Sequence, residues 1–238
     1  MIALVEAECC ALAGTDWRPL LLRRGASRPQ LKRGPLGRTI VKAKVIAKVL
    51  LATTLVSEFT VGIGLAISLF SRAKRIWPPP GKHSWQQYYI LVPTFTAMAS
   101  AVPLGICDWN SFILHHWSRF LVGGAAAVAG LSFALWGTRS MSVHTSLGLE
   151  GKLVTTGAYR CSRNPQYVGY TAAFLGYALL SNSVMSLIAA TVGGLLFLIT
   201  PFTEEPWIRE RFGARYDEYA EQVPRFLGAC MKPTMDSR

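Results

Sequence analysis

The chain has 238 residues, of which 51% are hydrophobic and only 16% are charged, and its mean hydropathy is +0.29. This composition excludes an ordinary soluble domain of the same length and indicates a small protein that crosses a membrane several times. The net charge of +12 raises the alternative of nucleic-acid binding. We expect no nucleic-acid partner, because the lysines and arginines lie between apolar runs rather than along one face.

Residues 1–44 form a basic leader with little hydrophobic patterning, and no Asp or Glu occurs between Trp17 and Ser57. We expect a disordered basic tail that lies on anionic lipid headgroups. An organelle transit peptide is the alternative. The remaining residues, 45–238, are expected to form one membrane domain.

The first apolar run, from about Val45 to Phe70, is long enough to cross a hydrocarbon core of about 30 Å as a helix. Glu58 lies in its middle, where an acidic side chain costs a few kcal/mol unless it faces a partner or water. We therefore expect Glu58 to point into the bundle. A structural hydrogen bond to a neighbouring helix is its favoured role, and contact with a substrate is the alternative.

Two further spans and a polar connection follow. The stretch from Tyr88 to Cys107 carries no charged residue and predicts the second span. Phe120 to Thr138 predicts the third, and its many small residues would let another helix approach closely, with a flat ligand as the alternative. A polar connection that contains several glycines then runs from Arg139 to Pro165.

The run from Asn164 to Thr203 has no charged residue, and the polar residues 181–183 divide it into the fourth and fifth spans. Pro165 suits the first turn of a helix, where its missing N–H is not needed, with Asn164 as the cap. After Pro201 the sequence becomes charged and amphipathic, which predicts a helix on the membrane surface. The fold class is therefore an all-α, polytopic membrane helix bundle of about five transmembrane helices plus a C-terminal amphipathic helix.

The predicted hairpin of spans four and five has a polar group at each of its ends. A hairpin returns its two ends to one membrane face, so Arg163 should lie near Glu204 and Glu205. The positive-inside tendency makes this face cytoplasmic, because the loops after spans one and three and the C-terminal helix hold most of the Lys and Arg outside the N-terminal tail. The basic tail itself conflicts with that orientation, since five spans place the two chain ends on opposite sides.

The cysteines and histidines do not predict a metal site. The five cysteines are odd in number and scattered, without Cys-x-x-Cys spacing, so we expect reduced thiols and neither a zinc site nor a disulfide framework. His115 and His116 are adjacent, but a metal needs a further ligand. We expect no metal.

Several short motifs occur in order in the C-terminal part of the chain. They are Gly157-Ala158-Tyr159, Arg163-Asn164-Pro165-Gln166-Tyr167-Val168-Gly169, Glu204-Glu205, Phe212-Gly213, Tyr216, Tyr219 and Val223-Pro224-Arg225. As a set they resemble the membrane methyltransferase superfamily of isoprenylcysteine carboxyl methyltransferases and phospholipid methyltransferases. The resemblance implies a bundle of membrane helices whose C-terminal half, about residues 139–226, encloses S-adenosylmethionine near the cytosolic face. It implies that the cofactor is bound by Gly157, Tyr159, Arg163, Asn164, Pro165, Tyr167, Glu204 and Glu205. It identifies no catalytic residue.

Two departures from the carboxyl methyltransferase pattern bear on the acceptor. That branch usually has His where Asn164 stands and an arginine shortly before the paired acids, whereas residues 198–203 here include no cation. A carboxylate acceptor needs a positive group to align it, while an amine acceptor would be repelled by one. The resemblance therefore implies methyl transfer to a lipid or lipid-linked acceptor, with a phospholipid-like amine favoured over a prenylcysteine carboxylate.

Two alternatives of other classes stay open. One is an NADPH-dependent membrane reductase of the sterol type, whose C-terminal region looks similar. The other is a non-catalytic helical membrane protein in which Arg163, Glu204 and Glu205 form only an interfacial network of ion pairs. The sequence does not indicate the oligomeric state.

Overall fold

A computed structural model describes residues 35–141, 145 and 151–231 of the chain. The regular elements in these ranges are all helical, which confirms the predicted all-α class. The part of the predicted basic tail that covers residues 1–34 lies outside the described residues, as does most of the connection between 142 and 150.

Within the described ranges the structure has six α-helices, and the first begins ten residues before the predicted start of span one at Val45. In chain order they are α1 (Pro35–Phe70), α2 (Trp85–Cys107), α3 (Ser118–Ser140), α4 (Pro165–Ser181), α5 (Val184–Phe212) and α6 (Ala214–Gln222). Single 3₁₀ turns lie at Arg72–Lys74 and Gly157–Arg160.

Four of these helices are long and apolar enough to cross a membrane, by length and composition: α2, α3, α5 and, from Val41, α1. Helix α4 has 17 residues, which is at the lower limit of what a hydrocarbon core requires. The prediction of about five spans is roughly consistent with this set, and the chain is a multi-pass membrane protein.

Helices α3 and α4 pack backbone against backbone. A Cβ atom placed on Gly130 would lie 2.5 Å from the amide nitrogen of Ala173, and one on Gly176 would lie 2.5 Å from that of Ala127. No side chain fits at either position without a shift of the helices. The small residues of α3 thus serve helix packing, the expected role, rather than contact with a flat ligand.

A buried asparagine fixes the turn between α4 and α5. Asn182 has the left-handed backbone angle φ of 51°, and its Nδ2 donates to Asn110 Oδ1 and to the carbonyl of Phe112, each at 3.0 Å. Its Oδ1 accepts from the amide of Leu114 at 3.0 Å. The division of the apolar run at residues 181–183 is confirmed, and these bonds hold the hairpin turn against the loop that follows α2.

Helix α5 continues through both of its prolines to Phe212, so the prediction of a surface helix beginning after Pro201 is wrong. Threonines on either side of the proline bond to their own helix. Thr200 Oγ1 donates to the carbonyl of Leu196 and Thr203 Oγ1 to that of Thr200, both at 2.8 Å. Neither bond goes to the carbonyl of Phe197, the group that Pro201 leaves without an N–H donor. The separate amphipathic helix is the short α6.

The expected position of Glu58 is confirmed, but its expected hydrogen bond is not found. The residue is only 7% exposed and points into the bundle. Its Oε2 is buried without a hydrogen-bond partner among the described residues, so this oxygen does not form the expected structural bond to a neighbouring helix.

Cys161 and Cys230 form a disulfide, which corrects the expectation of reduced thiols for this pair. The two residues are 69 positions apart, and only the tertiary fold brings them together, because the segment after α6 returns to the start of α4. The amide of Met231 donates to the carbonyl of Arg160 at 2.8 Å in the same place. Cys107 is not part of a disulfide.

Candidate functional site

The two polar ends of the α4–α5 hairpin meet at one end of the bundle. The hydroxyl of Tyr167, in the first turn of α4, donates to Glu204 Oε1 at 2.5 Å. Arg163 Nη1, just before α4, lies 3.5 Å from Glu205 Oε1. The structure therefore brings together the groups that the predicted hairpin was expected to join.

Glu204 is held through one of its two carboxylate oxygens. Its Oε1 accepts from the indole Nε1 of Trp77 at 2.6 Å in addition to the Tyr167 hydroxyl. Trp77 is only 4% exposed and lies on the proline-rich loop after α1. Oε2 of Glu204 makes no hydrogen bond within the described part of the chain, so one fixed carboxylate oxygen remains for a ligand.

Glu205, by contrast, is already paired. Arg225 Nε donates to its Oε1 at 2.9 Å and Arg225 Nη2 to its Oε2 at 2.6 Å, a bidentate arrangement. The hydrogen bond to Glu205 raises the pKa of the Arg225 guanidinium above its ordinary value. The positive charge that residues 198–203 lack is thus supplied by residues distant in sequence, Arg225 and Arg163.

The segment that carries Arg225 is bonded to the start of α4. Asn164 Nδ2 donates to the carbonyl of Arg225, and the amide of Arg163 donates to the carbonyl of Pro224, both at 3.0 Å. Asn164 occupies the expected N-cap position before Pro165, but its side chain makes no capping bond. The Asn164 side chain instead binds the segment that carries Arg225.

A polar cavity of about 110 Å³ lies between these groups. Six of the eight expected cofactor-binding residues line it, namely Tyr159, Arg163, Asn164, Tyr167, Glu204 and Glu205. Arg163 is mostly buried, with 13% of its side chain exposed, and its Nε has no hydrogen-bond partner among the described residues. The cavity thus combines a carboxylate oxygen and a guanidinium N–H that are both available.

Gly157 and Pro165, the other two expected residues, do not line the cavity. Gly157 has a positive φ of 62°, and a Cβ atom there would collide with Ser140 Oγ, so glycine is needed for this turn. Pro165 packs against α3, where a Cβ on Gly137 would lie 3.0 Å from its Cγ. The structure gives both residues a conformational role.

Tyrosines form the side of the cavity toward α6. The hydroxyl of Tyr219 donates to the carbonyl of Tyr159 at 2.6 Å, and Arg163 Nη1 donates to the hydroxyl of Tyr216 at 3.4 Å. Burial, followed by the nearby Glu205 carboxylate, raises the pKa of Tyr216 to about 12. Burial likewise raises the pKa of Tyr159. These phenols therefore stay protonated and uncharged at neutral pH.

A second, apolar cavity of about 310 Å³ lies among α1, α2, α4 and α5. Tyr167 and Gln166 line both cavities, and Trp77 lines the apolar one at the same end. The tyrosines of α4 form one wall, and the rings of Tyr167 and Phe197 stack with centroids 5.7 Å apart. The polar site at the end of the bundle therefore adjoins a cavity within the membrane-spanning region.

Two residues of the site were not identified from the sequence. Trp77 was not singled out, although the loop after span one, on which it lies, was placed on the same face as the paired acids. Arg225 appeared only as part of a motif, and the cation near the acids was sought in the residues directly before them. No group of three or more His, Cys, Asp or Glu side chains that could hold a metal occurs in the described ranges.

The chain was compared with protein families and individual proteins. The family model described as phospholipid methyltransferase matches residues 118–215. A protein-S-isoprenylcysteine O-methyltransferase of Schizosaccharomyces pombe is 34% identical over 107 residues, which are 44% of this chain and 43% of that protein. Phosphatidylethanolamine N-methyltransferase B of Dictyostelium discoideum is 28% identical over 102 residues, 40% of this chain and 51% of that protein.

Protein-S-isoprenylcysteine O-methyltransferase B of Arabidopsis thaliana is 35% identical over 74 residues, 31% of this chain and 38% of that protein. The chain spans about half the length, or less, of these curated relatives. No solved structure matches the chain significantly. The matches confirm the resemblance to membrane methyltransferases for the part of the chain that they cover.

Proposed function

We propose that this relative of the membrane methyltransferases transfers a methyl group from S-adenosylmethionine to a lipid or lipid-linked acceptor. The observation that carries the proposal is the junction of two cavities at Tyr167 and Gln166. The polar cavity has the groups that a charged, water-soluble donor needs. The apolar cavity offers a site for the hydrocarbon part of an acceptor.

The residues of the polar cavity fit the donor by their chemistry. When bound, S-adenosylmethionine supplies an electrophilic methyl group on a sulfonium, together with an ammonium and a carboxylate. Oε2 of Glu204 can pair with a positive group, and the unpartnered Nε of buried Arg163 can donate to a carboxylate. The enclosed volume of about 110 Å³ is below the roughly 300 Å³ of a small-molecule site, so it accommodates part of the donor.

Glu205 and Arg225 are assigned a positioning role. Their bidentate ion pair ties the segment after α6 to the end of α5. That segment in turn holds Asn164 and the start of α4. Glu205 therefore fixes the geometry of the cavity, while Glu204 keeps an oxygen for the ligand. Both acids contribute to donor binding, as expected from the sequence, but in different ways.

The charges at the junction favour an amine acceptor over a carboxylate. Glu204 is bonded to Trp77 and Tyr167, two side chains that line the apolar cavity. A carboxylate there attracts an ammonium group and repels another carboxylate. The two arginines of the site, Arg163 and Arg225, both pair with Glu205. The ammonium loses its proton to solvent before the nitrogen lone pair displaces the neutral thioether from the methyl carbon. We assign no residue as the base, because methyl transfer depends mainly on orientation and exclusion of water.

We place the polar cavity on the cytoplasmic face. The loops and turns at this end of the bundle are rich in Lys and Arg, as the positive-inside tendency requires. They include Lys74, Arg75, Arg139, Lys152 and Arg160. Protease protection of a tag after residue 231, in oriented vesicles, tests this placement.

Transfer of label to lipid tests the proposed function. The purified full chain is incubated with methyl-labelled S-adenosylmethionine and a total lipid extract, and the labelled lipids are separated by headgroup. We expect label in an amine-containing lipid class, and inhibition by S-adenosylhomocysteine. Binding of NADPH without binding of S-adenosylmethionine would instead support the reductase alternative, and binding of neither would support a non-catalytic protein.

A further inference from the structure

The apolar cavity contains two polar atoms that the protein leaves unpaired. Oε2 of Glu58 and Oγ of Ser186 are buried and have no hydrogen-bond partner among the described residues. Both residues line the cavity, and they are 7% and 5% exposed. An unpaired buried polar group is costly. A ligand in this cavity can therefore form hydrogen bonds with both atoms.

The other hydroxyls of this cavity behave differently. Thr54, Thr171 and Thr200 each donate to the carbonyl four residues earlier in their own helix. This pattern satisfies a hydroxyl inside a membrane helix without any partner from another molecule. Oε2 of Glu58 makes no such bond to its own helix or to any other described residue.

The space around Glu58 is shaped by a glycine of α5. A Cβ on Gly193 would lie 2.8 Å from Glu58 Oε1, so the absence of a side chain there leaves room for the carboxyl group. Gly193 and Glu204 are both on α5, 204 − 193 = 11 residues apart, which corresponds to about 16 Å along a helix. Glu58 therefore lies well inside the membrane, far from the junction with the polar cavity.

We propose that the apolar cavity binds the methyl acceptor as a lipid with a hydroxyl group at the end opposite its methylated atom, and that Glu58 binds this hydroxyl. The inference rests on the proposed function, whose acceptor it specifies. A hydroxyl both donates and accepts, so it pairs with a carboxyl group in either protonation state. The cavity volume of about 310 Å³ is at the lower end of small-molecule sites, which favours one hydrocarbon chain or ring system over two chains.

A pair of matched probes tests this assignment. One is a long-chain amino alcohol with its amine and hydroxyl at opposite ends, and the other is the same amine without the hydroxyl. Binding of each to the purified full chain in lipid nanodiscs is measured by titration. We expect the wild type to bind the amino alcohol about tenfold more tightly, as one buried hydrogen bond to an otherwise unpaired group allows.

Variants of Glu58 identify the group responsible. Glu58→Leu should bind both probes equally while keeping its affinity for the plain amine, and Glu58→Gln should retain most of the preference because its amide still forms hydrogen bonds. Thr60→Val is the matched control on the same helix, since the Thr60 hydroxyl bonds to the carbonyl of Val56 and does not line the cavity. It should leave the preference unchanged.

Two results would overturn the inference: equal binding of both probes by the wild type, or an undiminished preference in Glu58→Leu. Label transfer from methyl-labelled S-adenosylmethionine to the probe amines is measured separately. A hydroxyl preference without label transfer would support the role of Glu58 and contradict methyl transfer. Label transfer without a hydroxyl preference would support methyl transfer and contradict the role of Glu58.

Discussion

The family match covers residues 118–215, and therefore α3, α4 and α5, whereas α1 and α2 precede it. The matched part carries most of the polar cavity, including Arg163, Tyr167 and Glu204. The preceding part supplies much of the apolar cavity, including Glu58 and Ala101. Under the proposed function, the residues assigned to the donor thus lie mainly where the chain is similar to a family. Those that line the acceptor cavity are divided between the matched part and the two helices that precede it.

The relatives are consistent with this division. By their names, one acts on isoprenylcysteine and another on phosphatidylethanolamine. Proteins with such different acceptors share a common sequence pattern with this chain, as expected if the pattern serves the methyl donor. Under the proposed function, side chains elsewhere in the bundle then select the acceptor. Substitutions on the two sides of the division should therefore have separable effects.

The largest effect, a loss of stability, is expected within the matched part, at the contact between α3 and α4. Gly130→Val places a side chain against the backbone of α4, where a Cβ would already lie 2.5 Å from Ala173 N. Overpacking of this kind costs about 3 kcal/mol, so the thermal midpoint of the purified protein in detergent should fall sharply. Gly124→Val is the control, because a Cβ there would lie 3.5 Å from Leu180 Cδ1, an ordinary contact. Equal midpoints for the two variants would contradict the close packing.

A smaller effect, confined to the donor, is expected at the polar cavity. Glu204→Gln keeps the size of the side chain and an acceptor for Trp77 and Tyr167 but removes the charge. Affinity for labelled S-adenosylmethionine should fall about tenfold or more, as for loss of a charge-assisted bond, with the thermal midpoint preserved. Glu210→Gln, exposed on the same helix, should bind the donor like the wild type. Unchanged affinity in Glu204→Gln would remove this residue from the donor site.

The parts of this site that were predictable from sequence are those set by local pattern. The uncharged run with its polar interruption at 181–183 predicts a hairpin, and a hairpin alone requires Arg163 to lie near the paired acids. The spans are likewise set by hydrophobicity and length. The sequence therefore predicted the helices and the meeting of the two polar ends.

The parts that were not predictable depend on long-range contacts. The Arg225–Glu205 pair and the Cys161–Cys230 disulfide form only because the segment after α6 returns to the start of α4. No local periodicity encodes that return. The continuation of α5 past Pro201 was missed for another reason, since proline normally ends a helix, whereas α5 runs through both Pro201 and Pro206.

A third substitution tests whether a residue outside the matched part contributes to the donor site. Trp77 precedes the matched part, yet its indole N–H bonds to Glu204. Trp77→Phe removes that bond and should weaken donor binding about fivefold, as for one hydrogen bond of about 1 kcal/mol. Trp85→Phe is the control, because Trp85 is 63% exposed at the start of α2. If Trp77→Phe folds and binds the donor normally, the donor site is contained within the matched part.

The smallest change in binding is expected at the wall of the apolar cavity that α2 contributes. A substitution there should alter acceptor binding and leave donor binding unchanged. Ala101→Leu adds volume to a residue that lines this cavity. In a series of long-chain amines, the preferred length should become shorter, with the affinity ratio of long to short amines falling by about threefold. This is less than the tenfold or more that one methylene changes in a closed pocket, since Phe95 in the same wall is 55% exposed and can move outward.

The matched control for this wall is Ala99→Leu, an exposed position two residues earlier on the same helix. It adds the same side chain to the outer surface of α2, so it should leave the length preference unchanged. Both variants should bind S-adenosylmethionine like the wild type, because neither residue lines the polar cavity. A loss of donor affinity in Ala101→Leu alone would mean that the two cavities are coupled through Tyr167, and that acceptor size is sensed at the donor site.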